Sequence, residues 1–104
     1  MSFELRIYVA NPGKIVALLN RFRNHTDELF AKHGMESLGY WISDKEPNKL
    51  IYVLSHNGDS DSNWRAFIND PDWIRVRNAS EIDGPLVASI ECHFMSATDF
   101  SKLV

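Results

Sequence analysis

The order of elements read along the chain predicts an α+β domain of plan β-α-β-β-α-β, one antiparallel sheet with its helices on a single face. Three observations carry that reading: a two-residue alternation near the N-terminus, a long helical stripe directly after it, and two strand-like runs joined by a polar turn containing proline. The 104 residues read as one domain, 1–104, with 44% apolar and 24% charged residues, ordinary values for a globular protein.

Phe3, Leu5, Ile7 and Val9 alternate with Glu4, Arg6 and Tyr8, as a strand requires. Asn11-Pro12-Gly13 then stops the strand and opens a helix, with Asn11 as its N-cap and Pro12 at the first helical position. Ile15, Leu18, Leu19, Phe22, Thr26, Leu29, Phe30 and His33 form its apolar stripe. Gly34 supplies the left-handed residue that ends it. Met35 to Ser43 reads as the second strand, Asp44 to Asn48 as a turn, and Leu50-Ile51-Tyr52-Val53-Leu54 as a third strand, apolar on both faces. Trp64, Phe67 and Ile68 mark a short helix that stops at Asp70-Pro71. Asp70 can cap a second segment carrying Trp73, Val76 and Ile82, and Gly84-Pro85 leads into a last strand, Leu86 to Met95.

This succession is the split β-α-β, or ferredoxin-like, plan. It leaves one sheet face without helices, although the third strand is apolar on both faces and Tyr40, Trp41 and Tyr52 add to the apolar surface. A bare face of more than a few hundred Å² is uncommon on a monomer. A second copy packed sheet to sheet about a two-fold axis is the economical cover, so a homodimer is expected.

A formal charge of −3, with eleven scattered basic residues, argues against nucleic acid as a partner. No apolar run approaches the roughly 20 residues of a membrane span. Met1-Ser2 runs straight into the first strand without a leader, and the lone Cys92 suits a reducing compartment, so the expected location is cytoplasmic.

Candidate chemistry sits on the first and last strands. Glu4, Arg6 and Tyr8 share the face opposite Phe3, Leu5 and Ile7. With the apolar residues assigned to the helices, that polar row looks into the space between subunits. Glu91 and His93 form a similar row on the last strand, opposite Ile90, Cys92 and Phe94, and the two strands are expected to pair. One reading is a pocket for a small organic ligand lined by Tyr40, Trp41 and Tyr52, with Arg6 as anion anchor and Glu91 or His93 as acid or base. An internal ion-pair network accounts for the same residues, with Glu4 or Glu91 as the partner of Arg6. Cys92 reads as a core residue, His56 as a loop residue near a pocket mouth, and Trp64 as core or interface. His25 and His33 stand roughly 80° apart around their helix. No metal or cofactor site is therefore expected, and no catalytic residue can be assigned.

Glu4-Leu5-Arg6-Ile7-Tyr8, Pro12-Gly13-Lys14, His33-Gly34-Met35, Gly39-Tyr40-Trp41, Trp64-Arg65-Ala66-Phe67, Asp70-Pro71-Asp72-Trp73 and Thr98-Asp99-Phe100-Ser101 resemble, in their order and spacing, the NIPSNAP family. The resemblance covers nearly the whole chain and implies a dimeric α/β barrel far more strongly than an activity. Other dimeric α/β barrels are small enzymes, among them cofactor-free monooxygenases and isomerases. The expected function is accordingly a small-ligand-binding or protein-interaction module. The alternative is a small cofactor-independent enzyme acting on an organic anion or aromatic compound in the barrel pocket.

Overall fold

The alternating N-terminal run extends as strand β1, Ser2–Ala10, which lies inside a four-stranded sheet in a computed structural model describing residues 2–103. The strand order is β2-β3-β1-β4, with β2 at Met35–Ile42, β3 at Lys49–His56 and β4 at Val87–Met95, and all neighbours antiparallel. The architecture is α+β with helices on one face, as the element order predicts. The sheet itself is open, with β2 and β4 as free edges.

The first helical segment begins later than its sequence suggests. Asn11-Pro12-Gly13 is a turn closed by a 2.9 Å bond from Lys14 N–H to the Asn11 carbonyl, and Gly13 has φ +76°. That left-handed residue cannot continue a right-handed helix. Helix α1 therefore runs Ile15–Arg21 with no side-chain cap, and Asn11 instead donates to the Pro85 carbonyl at 2.9 Å. Between α1 and α2 (Asp27–Lys32) the chain widens into a π-helical turn, Phe22–Thr26. There Asp27 N–H bonds the Phe22 carbonyl, and Thr26 Oγ1 donates to the Arg21 carbonyl at 3.2 Å, each partner five residues back. Just before that turn Arg21, the last residue of α1 and a charged residue outside the predicted stripe, is buried beside Phe22.

Gly34, at φ +78°, ends α2 as predicted. Helix α3, Ser60–Ile68, is capped by Asp59. Helix α4, Pro71–Ser80, has Pro71 in its first turn and is capped by Asp70, whose Oδ1 accepts Asp72 N–H at 2.8 Å. The Asp70 carboxylate also receives Lys32 Nζ at 2.8 Å and His33 Nε2 at 2.7 Å, tying α4 to the end of α2. Lys32 first, then His33 and the Asp72 amide, hold its pKa well below the usual carboxylate range. Ile82, expected on the last helix, lies beyond α4 and is 82% exposed. No helix among the described residues is long and apolar enough to cross a membrane.

The alternation in β1 is present, but its two faces are reversed from the expectation. Tyr8 packs edge-on against Phe22 of the helical layer with ring centroids 5.7 Å apart, and Glu4 and Ala10 are buried on the same side. By register Tyr52 lies beside Arg6 and Leu54 beside Glu4. Phe22, Phe30, Tyr52 and Phe67 complete an aromatic core with centroid spacings of 5.0 to 6.1 Å between neighbouring rings. Such pairs add about 0.5–1.5 kcal/mol each beyond area burial. Leu5, Ile7 and Val9 face the other way, alongside Ile51, Val53 and Trp41, on the face without helices. Its one covered corner is Phe3, where residues 96–103 fold back past Val53 and Met95. Hydrocarbon on the bare face and charge under the helices is the physical reverse of a lone amphipathic strand. It is tolerable because the buried charges are completed by partners from other elements.

Candidate functional site

Glu4, near the start of β1, is the centre of the buried polar network. Its Oε2 accepts Arg6 Nη1 at 2.7 Å, and its Oε1 accepts both His56 Nε2 and Trp64 Nε1 at 2.8 Å. Burial alone would raise the carboxyl's pKa, but the donors from His56, Trp64 and Arg6 outweigh it and the net direction is down. His56 ends β3 and is fully buried. Because a carboxylate only accepts, Nε2 carries the proton, leaving Nδ1 to accept from Asn63 Nδ2 at 3.2 Å. The Asn57 carbonyl, 3.1 Å from the same Asn63 nitrogen, fixes which end of that amide is the donor.

Arg6 stands one pleat further along. Its Nε donates to Tyr52 OH at 2.9 Å and its Nη2 to Tyr8 OH at 3.0 Å, while the Trp64 ring lies 4.2 Å from the guanidinium carbon. Burial opposes the charge, yet Tyr52, Tyr8 and Glu4 raise the pKa above its ordinary value. Burial, first of all, pushes the Tyr52 phenol well above its ordinary pKa, so it serves as a neutral hydroxyl. It donates to Tyr8 OH at 2.9 Å. A guanidinium has five N–H donors, and Arg6 directs three to Glu4, Tyr52 and Tyr8, so two remain. The network therefore has donors to spare and no free acid or base. Glu4 is engaged three times and both nitrogens of His56 are occupied.

Of the residues singled out in the sequence, Glu4, Arg6, Tyr8 and Tyr52 come together, beneath the helices and not on the bare face. Tyr40 is on the same face, its ring tilted against Tyr52 with centroids 5.2 Å apart and its hydroxyl donating to Asp27 at 2.7 Å. Glu91 and His93 are not part of the cluster. Register puts Leu5 beside His93 and Ile7 beside Glu91, so both lie on the bare face, bonded to each other at 2.6 Å. Trp41 is on the bare face too, over Gly39. Cys92 does share the helix side, beside Arg6, but is exposed rather than in the core, because the helices do not reach across β4. Among the described residues no three His, Cys, Asp or Glu side chains gather as metal ligands.

His56, Trp64 and Asn63 were missed as members. His56 reads as a loop residue but ends β3, and only the packing of α3 over β3 brings Trp64 to Glu4 and Asn63 to His56. Past Tyr8, between the sheet and the helices, lies a cavity of about 180 Å³ walled by Phe22, Phe67, Trp73, Val87, Ile90 and Arg21 among others.

The sequence over residues 3–102 matches the NIPSNAP family, and the chain belongs to it. Among solved structures it is similar to a NIPSNAP family protein with unknown function from Agrobacterium tumefaciens, at 25% identity over 100% of this chain and 94% of that one, TM-score 0.82. A second NIPSNAP family protein from the same organism shares its fold at 23% identity, covering 99% and 98% of the two chains with TM-score 0.81. A putative antibiotic biosynthesis monooxygenase from Nitrosomonas europaea shares the fold at 11% identity, covering 93% and 98%, TM-score 0.66. No curated protein matches the chain.

Proposed function

We propose that this NIPSNAP-family chain works as a homodimeric binding module for a small organic ligand, held between the sheet and helices of each protomer. The observation that carries the proposal is the division of labour between the two sheet faces. The helix side holds a polar cluster with surplus donors and, beside it, an aromatic-walled cavity. The other side carries Leu5, Ile7, Ile51, Val53 and an exposed Trp41, with no helix over them. A second copy applied to that hydrocarbon face buries it and closes the two open sheets into a dimeric α/β barrel. The ligand site is then complete within one protomer, not at the junction of two. Binding is favoured over acid–base chemistry because every candidate acid or base in the cluster is already paired. The exposed free thiol of Cys92 suits a reducing compartment and so a cytoplasmic location.

Gel filtration with light scattering tests the assembly. Wild type at micromolar concentration should show twice the 11.9 kDa chain mass, and Ile7→Lys, at the centre of the bare face, should run as the monomer. A monomeric wild type would remove the dimer. Thermal shift across a panel of organic acids and uncharged ring compounds tests the binding half, since a ligand of the folded state raises the melting temperature. Silence across the whole panel would remove it.

A further inference from the structure

Arg21 is 93% buried as a residue and is the one described residue with a buried side-chain nitrogen, Nε, that has no hydrogen-bond partner. Its Nη1 donates to Ser80 Oγ at 3.1 Å and to Glu81 Oε2 at 3.3 Å, and its guanidinium lies 5.1 Å from the Trp73 ring centre. Neither Nε nor Nη2 meets an acceptor among the described residues. Those two nitrogens form the side-on edge of a guanidinium, the fork that receives both oxygens of a carboxylate.

The same side chain walls the 180 Å³ cavity beyond Tyr8. An apolar cavity of about 150 Å³ holds one benzene ring, so this one has room for a six-membered ring with a small substituent. Its walls are mostly aromatic and aliphatic, and Arg21, Arg77 and Glu81 are their charged members. A buried water needs two to four polar partners and would serve Nε without explaining the apolar remainder. A ring with one acidic group uses both.

We infer that this cavity is a binding site for a small monocyclic organic acid, its ring packed between Phe67, Trp73 and Ile90 and its carboxylate on the free edge of Arg21. The inference rests on the small-ligand reading and narrows it to one place and one chemical class. Arg21 is the anion anchor here because two of its nitrogens lack an acceptor; Arg6, which meets acceptors through all three, is not.

The test is an NMR titration of the full chain with benzoate, cyclohexanecarboxylate, phenol and toluene, following the indole N–H signals of Trp73 and Trp64. Either acid should shift Trp73, saturate at one per chain, and bind at least about tenfold more tightly than the uncharged rings, the factor that 1.4 kcal/mol supplies. Arg21→Met should remove that preference. Ile90→Trp, at a half-exposed cavity wall, should block all four, and the same spectra verify that both variants are folded. Equal binding by acids and uncharged rings, or acid binding that survives Arg21→Met, overturns the anion contact. Shifts at Trp64 with Trp73 silent overturn the cavity assignment while leaving the small-ligand reading standing. No response to any of the four overturns the inference, whereas the broader reading falls only if the thermal-shift panel is also silent.

Discussion

Arg6, on the sheet, and Arg21, at the end of α1, are two guanidinium groups withdrawn from water, and their surroundings differ. Arg6 meets Glu4, Tyr52 and Tyr8 through all three nitrogens and has the Trp64 ring against it. Arg21 has acceptors for Nη1 alone, one of them on Glu81, whose side chain is 30% exposed. Neither group can shed its proton to escape the cost of burial. Arg6 is satisfied by residues that sheet register fixes opposite and beside it. Arg21 ends α1 just before the widened turn, where no sheet register supplies partners, and its side chain walls the cavity. A completed charge of this kind secures the fold, and an uncompleted one leaves a place for another molecule.

The largest effect is expected of Arg6→Met. Removing the cation leaves Glu4 charged and buried, and urea unfolding at pH 7 should show a loss of about 3–5 kcal/mol. A stability unchanged by that substitution would mean the network does not secure the fold. Glu4→Gln sharpens the point through pH. The folded-state pKa of Glu4 lies below its ordinary value of 4.5, so unfolding takes up a proton as the pH falls below that value. Its contribution is full above about pH 5 and is lost as the pH falls through the folded pKa. The stability of wild type should therefore fall toward that of Glu4→Gln on acidification, with the gap greatest near neutrality. A gap independent of pH would assign the Glu4 effect to packing.

Arg21→Met should cost less, about 1 kcal/mol, because Glu81 stays in contact with water and the unpaired Nε disappears with the side chain. Equal losses for Arg6→Met and Arg21→Met in the same urea series would erase the distinction. The smallest effect is expected of Thr26→Val. It removes only the bond from Oγ1 to the Arg21 carbonyl, worth about 1 kcal/mol or less. Amide exchange in residues 22–27 should quicken at the same time, and protection equal to wild type would show that this hydroxyl does not hold the wide turn.

Much of the fold was legible because its signals are local. Gly34 ends a helix through its own backbone angle, and Asp70-Pro71 starts one through its own side chain and ring. The order of strands and helices followed from periodicity. The partnership of Glu4 with Arg6 was legible too, since residues two apart on a strand share a face. The remaining members were not. His56 and Trp64 stand 52 and 60 residues from Glu4, and nothing near either one marks it as a carboxylate's partner. Asn11 misled for a related reason: a good capping residue was followed by a glycine whose positive φ postponed the helix.

By itself the sequence determined that β1 has one apolar and one polar face, that a helix follows it, and that hydrocarbon would be left over for a second surface. Which face the helices cover was decided only in the tertiary structure. Alternation fixes the period of a strand but not the sign of its faces, and the usual assignment of apolar residues to the helix layer fails when buried charges can be completed. Here the Glu4 carboxylate gathers donors from β1, β3 and α3. That non-local completion makes the polar face the interior one, sends Leu5 and Ile7 to the bare side, and separates Glu91 and His93 from Arg6 by the thickness of the sheet.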